Sequence, residues 1–345
     1  MRNFKETDDS PLLIGKGIEE EEDEFIEIHE TLYNTIRVPI LALSYCAASI
    51  SAVFLNKKIL SRTGQFKDFR SVEFLMMLQS IVGALLLVLC RLFRIIKFPI
   101  IIDFERVKRI AFVNILFVLM TLSNAYSVRQ LSIPMVALLK NCQVVIVCFL
   151  EYIFIGTKPG KMTIASLCLI VFGSVCGSVT DLEFNLPGYI AMIIAVSSSA
   201  LYHVSIKLVF KEKQVPEFTL VFYNNVLSIP FFIIMGLSAN NVFFRAFRNS
   251  FNAPLLFWVI TILSGVAGVG VNITTYFFLS ASTPTSFSVL GVIKKITQTL
   301  LGYLTWNTPA NAANILSVCI GIMGGISYTI AKKMEKKESR KLQRI

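Results

Sequence analysis

Apolar runs of about 20 residues recur ten times along this chain, and nothing else in it narrows the fold so far. Twenty helical residues rise about 30 Å, the thickness of a bilayer's hydrocarbon core. In that core the backbone must satisfy its own hydrogen bonds, so each run is expected to be a helix. The runs fall near 36–55, 72–93, 110–128, 133–155, 162–180, 188–210, 219–238, 254–280, 284–305 and 311–332. The joins at 129–132 and 281–283 are tight, and Pro134 and Pro284 suit the first turn of the helix that follows. The expectation is an all-α polytopic membrane protein: an acidic, disordered tail over 1–35, a ten-helix domain over 36–332 and a basic tail over 333–345.

Charge sets the orientation. The net +11 hides an asymmetry, because half of the 22 acidic residues lie in the leading tail, from Glu6 to Glu30. The body is strongly basic, yet its lysines and arginines sit in short loops between apolar runs, which argues for topology rather than nucleic-acid binding. With both termini assigned to the cytosol, that side carries 21 basic residues and the other eight. Five of the eight (Lys57, Lys58, Arg62, Lys67 and Arg70) share the first outer loop and run against the rule. The first 35 residues lack an early apolar core, so no cleavable signal is expected there. Seven cysteines, all in apolar stretches and without a Cys-x-x-Cys pair, read as small buried hydrophobes. Two histidines, His29 and His203, cannot build a metal centre, and no cofactor is expected. The sequon Asn272-Ile-Thr274 falls inside a span, where glycosylation is not expected.

Two stretches repeat. Tyr126 precedes Pro134 by eight residues, and Tyr276 precedes Pro284 by eight. Ser132-Ile-Pro-Met leads to Lys140-Asn141, and Ser282-Thr-Pro-Thr leads to Lys294-Lys295. The repeats lie five spans apart, an odd offset that inverts one half against the other. The expectation is a five-plus-five inverted-topology repeat with its binding site near the midplane.

The chemistry concentrates in two polar islands. Lysine at mid-membrane costs roughly 2.5–3.5 kcal/mol, so Lys294 and Lys295 ask for a reason. Phe287, Gly291, Lys294, Lys295 and Gln298 share one helical face, and no carboxylate lies in that helix. A groove floored by glycine and lined by ammonium groups suits an anion, and Lys140 could reach its other end. The bland alternative is snorkelling to an interface, which is the better reading for Lys207, one turn from a helix end. Asn224 and Asn225 form the second island; their amides suit a nucleobase edge, or equally a contact between helices. Tyr45 and Ser49, one turn apart, could offer hydroxyls to a sugar, while Gly265, Gly268 and Gly270 read as close-packing positions. The carboxylate noted within the spans is Glu151, near a helix end.

Phe222-Tyr-Asn-Asn225 and Gly291-Val-Ile-Lys-Lys295 resemble the paired F-Y-N-N and G-A-L-N-K motifs of Golgi GDP-mannose transporters, in the nucleotide-sugar branch of the drug/metabolite transporter superfamily. Leu43-Ser-Tyr-Cys46, Asn56-Lys57, Ile133-Pro134 with Lys140-Asn141, and Ser264-Gly-Val-Ala267 also look like family segments. The resemblance implies a ten-helix antiporter in the Golgi membrane (the endoplasmic reticulum being the other candidate), with both termini cytosolic. It would exchange a nucleotide sugar for a nucleoside monophosphate, with membrane lipid and a second copy as further expected partners. The substrate-binding set it implies is Tyr45, Asn224, Asn225, Asn272, Phe287, Gly291, Val292, Lys294 and Lys295. Two positions depart from the motif: Lys294 stands where the family has asparagine, and Phe287 where it has tyrosine. Gly-x-Ile-Lys is closer to UDP-sugar transporters, so GDP-mannose is the first substrate expected and a UDP-sugar the second. A membrane-embedded sugar transferase is the rival of another class; it would need more intramembrane carboxylate than Glu151.

Overall fold

The computed structural model describes residues 39–61, 66, 69–99, 104–155, 158–179, 184–211, 216–238, 241–281, 284–306 and 312–342. Twelve helices account for nearly all of them. These are α1 (Pro39–Leu60), α2 (Val72–Leu92), α3 (Phe104–Gln130), α4 (Ile133–Leu139), α5 (Cys142–Ile155) and α6 (Lys161–Val179). The second half holds α7 (Leu186–Lys211), α8 (Glu217–Leu237), α9 (Val242–Ser250), α10 (Leu255–Ala281), α11 (Pro284–Trp306) and α12 (Ala312–Leu342). The acidic segment 1–35 and residues 343–345 lie outside the described residues.

Local sequence explains the helix ends. Ser71 caps α2 by accepting from the Phe74 amide at 3.2 Å. α2 closes with Arg94 left-handed at φ 59°, the Ile95 amide reaching Cys90 O and the Arg94 amide reaching Arg91 O. Ser132 is extended ahead of α4, whose first turn holds Pro134, and α11 begins at Pro284 itself. Pro230 sits inside α8 without ending it.

Leu85, Phe112, Phe172, Ile193, Leu263 and Leu304 are exposed, whereas Tyr202, Tyr223, Phe232 and Phe257 are fully buried. Large apolar side chains on the outside are what a lipid-facing bundle requires. Between helices, α6 packs on α12, α3 on α7, α2 on α8 and α10, and α4 on α11. At the α6–α12 crossing the backbones nearly touch: a Cβ on Gly173 would lie 2.6 Å from the Gly321 amide nitrogen. Small residues allow that approach, as expected where packing rather than water drives association.

The protein is thus a multi-pass all-α membrane protein. Among the described residues nine helical stretches are long and apolar enough to cross a membrane, one of them running over α4 and α5. α11, placed as a span from sequence, is a 23-residue helix outside that set, since Lys294, Lys295, Gln298 and four threonines dilute it. Three further differences have physical causes. The expected span 133–155 is two helices, broken at Lys140-Asn141. α12 runs on to Leu342, through residues read from sequence as tail. α9 was not foreseen; it buries Phe243 and Ala246 while Phe244 and Phe247 stay exposed, an amphipathic helix too short to span.

Candidate functional site

The break in the fourth span is where the site begins. Around Lys140 and Asn141 the ladder tightens to three-residue steps: the Asn141 amide bonds to Leu138 O at 3.0 Å, Gln143 to Lys140 O at 3.3 Å and Val144 to Asn141 O at 3.1 Å. Irregular backbone at membrane depth occurs where it is sheltered by protein or lines a polar opening. Here α11 provides the cover. Gly302 admits Ile133 and Pro134, and one side of α11 then descends to Lys295, whose Nζ donates to Lys140 O at 3.4 Å.

Three lysines therefore converge. Lys140 lies within electrostatic reach of both Lys294 and Lys295, and all three remain partly exposed. Among the described residues no carboxylate lies against them. Lys294 turns towards α1: its Nζ donates to Ser49 Oγ at 2.9 Å and to Tyr45 OH at 3.2 Å, and lies 5.1 Å from the Tyr45 ring centroid. Tyr45 is fixed in turn by Phe278 of α10 and Leu290 of α11. One turn before the lysines, a Cβ on Gly291 would meet nothing within 4 Å among the described residues. One turn beyond, Gln298 is 1% exposed and its Nε2 has no hydrogen-bond partner. The result is a cationic surface with open space beside it and an unsatisfied donor below.

The second island is finished differently. Asn224 is 1% exposed; its Nδ2 donates to Tyr202 OH at 2.8 Å, and Asn114 Nδ2 lies 3.4 Å from its side-chain and backbone oxygens. Tyr202 OH pairs with Tyr276 OH at 2.7 Å. This network ties α3, α7, α8 and α10 together. Asn225, one position on, donates to Val221 O of its own helix at 2.8 Å, and its Oδ1 lies 2.8 Å from where a Cβ on Gly83 would be.

Asn272 is half-buried on α10, one turn from Gly268 on one side and from Tyr276 on the other. Gly265 does serve close packing, against Val82 of α2, whereas a Cβ on Gly268 would meet nothing within 4 Å. The structure thus brings Tyr45, Ser49, Gly291, Lys294, Lys295 and Lys140 together, and sets Asn224 in a separate, closed network, with Asn225 bonded to its own helix beside it. Phe287 and Val292 lie on α11, but their side chains, like those of Glu151 and Lys207, are outside the described ones.

Several polar residues escaped sequence reasoning. Glu73 belongs in the carboxylate count beside Glu151: it sits 4% exposed in the first turn of α2 and accepts from Ser71 Oγ at 2.8 Å and from Tyr126 OH. Lys57, counted as an outer-loop charge, is 9% exposed and donates to Val128 O at 2.9 Å and to Leu131 O, satisfying carbonyls at the end of α3. Asn56, Gln79 and Ser264 form a further cluster, with Gln79 Nε2 2.7 Å from Asn56 Oδ1 and 2.8 Å from Ser264 Oγ. Of the seven cysteines, all free, Cys148 is buried but Cys168 and Cys319 are exposed on the apolar outside.

A family model, the Triose-phosphate Transporter family, matches residues 36–329, nearly all of the helical region. The chain belongs to that family. Its membership makes the protein a transporter and not an enzyme, which removes the transferase. Curated relatives agree with the resemblance in the motifs. The GDP-mannose transporter GONST1 of Arabidopsis thaliana is 29% identical over 87% of this chain and 90% of its own. The GDP-mannose transporter of Komagataella pastoris is 29% identical over 88% and 93%, and GDP-mannose transporter 1 of Saccharomyces cerevisiae (strain YJM789) 27% over 89% and 94%. A solved crystal structure matches 87% of this chain and 99% of its own with a TM-score of 0.52, at 13% identity, a likeness of fold alone.

Proposed function

We propose that this transporter exchanges a nucleotide sugar, with GDP-mannose the first candidate, for a nucleoside monophosphate across the Golgi membrane. The observation that carries the reading is the meeting of Lys140, Lys294 and Lys295 at a helix break, with no carboxylate against them and open space at Gly291 among the described residues. Such a surface asks for an anion, and both the family name and the relatives' names denote phosphate-bearing solutes. Lys140 and Lys295 take the diphosphate, Tyr45 and the face from Phe287 to Lys294 the sugar, and Asn224, Asn225 and Asn272 line the path to the base. A UDP-sugar is the second reading, favoured by the Gly291-x-Ile293-Lys294 pattern.

The architecture proposed is ten spans, with α4 and α5 counted as one and α11 included, in two inverted halves of five. The self-pairing of corresponding spans supports it: α2 meets α8, α4 meets α11 and α6 meets α12. Loop charge supports cytosolic termini, and burial of Lys57 removes one of the residues that ran against that rule. Exchange follows from charge. An empty site leaves three ammonium groups without counter-charge, so its reorientation is slow, while a phosphate ester of about two charges neutralises most of it. Proteoliposomes preloaded with GMP should take up GDP-mannose far faster than empty ones. Equal rates would exclude exchange, and a failure of any nucleotide sugar to enter would exclude the reading.

A further inference from the structure

Resting on the nucleotide-sugar reading but departing from its neutral hexose, we propose that the sugar half of the site selects an acidic sugar, a nucleoside-diphosphate uronate whose carboxylate pairs with Lys294 between the hydroxyls of Tyr45 and Ser49.

The charge count comes first. A nucleotide sugar with a neutral hexose brings two negative charges, both on the diphosphate, whereas three lysines face the site. A cation left unpaired after water is expelled is strongly unfavourable. The geometry says which cation is left over. Lys295 turns to the helix break, its Nζ donating to the Lys140 carbonyl at 3.4 Å, on the side given to the two phosphates. Lys294 points the other way, held by Ser49 and Tyr45 of α1 at 2.9 and 3.2 Å. Its charge is directed to α1, beside Tyr45, where the sugar is placed.

The surroundings of Lys294 suit a carboxylate better than a hydroxyl. Both partner hydroxyls now accept from the ammonium, and each can rotate to donate instead. A carboxylate accepting from one ammonium and two hydroxyls has most of its lone pairs satisfied. A sugar hydroxyl can use only part of that donor set. The GDP-mannose motif this chain resembles carries asparagine at position 294, neutral and able both to donate and to accept, so the lysine adds a charge beside Tyr45 and Ser49.

The test uses the full-length protein in liposomes preloaded with UMP or GMP. UDP-glucuronate is compared with UDP-glucose, and GDP-mannuronate with GDP-mannose, each pair sharing its base. The wild type should prefer the uronate by about tenfold or more, the size of one charge-assisted hydrogen bond. Lys294→Asn should bring that ratio close to one, with thermal unfolding in detergent reporting that the variant folds. Uronate exchange should also move about one net negative charge inward per cycle, since roughly three charges enter for two leaving. An interior-positive potential, set by valinomycin and a potassium gradient, should speed uronate uptake and leave hexose uptake nearly unchanged. Equal uptake of acidic and neutral sugars overturns the inference while leaving the reading intact. So does an unchanged ratio in a folded Lys294→Asn protein. Should that variant not fold, the wild-type ratio and its voltage dependence decide alone. No uptake of any nucleotide sugar overturns both.

Discussion

The half of the site built on Lys140, Lys294 and Lys295 and the half built on Asn224 and Asn225 are both polar islands in apolar helices, but only the second is complete without a ligand. Asn224 has its amide donor on Tyr202 and its oxygen near Asn114, inside a network of four helices. The lysines have hydroxyls and one carbonyl for company, no carboxylate among the described residues, and space at Gly291. Hydrogen bonds can be closed within the fold; like charges cannot. The first island therefore waits for an anion, whereas the second must give up internal bonds to meet a base.

The largest effect should come from the lysines. Lys295→Gln keeps hydrogen-bonding capacity but removes charge, so uptake of every phosphorylated solute should fall roughly 10- to 150-fold, the range for a charged hydrogen bond. Competition between GMP and UMP should not change. A shift in base preference in the same liposome assay would break the division between the two islands.

A smaller loss, of a different kind, is expected in the asparagine network. Tyr202→Phe strips the hydroxyl that Asn224 and Tyr276 share, removing buried hydrogen bonds at about 1–3 kcal/mol. Thermal unfolding in detergent should register that loss. If Asn224 reads the base, GMP and the full nucleotide sugar should weaken by the same factor, because both carry it. A loss confined to the sugar nucleotide would move the base site elsewhere.

How much of this was legible in sequence depends on the residue. Most of the spans were, because lipid demands long apolar helices and few other solutions exist. The lysine face was, because charge at mid-membrane stands out against its neighbours. The break at Lys140-Asn141 was not, since neither glycine nor a nearby proline marks it, and only the packing of α11 reveals the irregular turn. Lys57 was read as a loop charge because it falls near the end of its apolar run; nothing local says that the carbonyls of Val128 and Leu131 are in reach. Glu73 was overlooked for a similar reason, at the first turn of its span. Asn114 and Tyr202 are the instructive pair. Each is a single polar group in an apolar run, and what makes them a network with Asn224 is the crossing of α3, α7 and α8, which no single segment encodes.

The finest test sets two glycines against each other, one beside each island. A Cβ at Gly83 would stand 2.8 Å from both Asn225 Oδ1 and Val269 Cγ2, in a packed interior. Gly83→Ala must push the amide or the valine aside, at about 1–3 kcal/mol for overpacking, and should lower the unfolding temperature together with nucleotide affinity. At Gly291 the same methyl would meet nothing within 4 Å, and alanine favours a helix more than glycine does. Gly291→Ala should therefore leave stability unchanged or raise it by up to about 1 kcal/mol. Transport should nonetheless fall, because the methyl occupies space kept for the solute. Monophosphate exchange should suffer less than nucleotide-sugar exchange, since the smaller solute does not reach the sugar side. If Gly291→Ala instead transports both solutes normally, the space before it is not filled during the cycle, and the sugar must lie elsewhere on the lysine face.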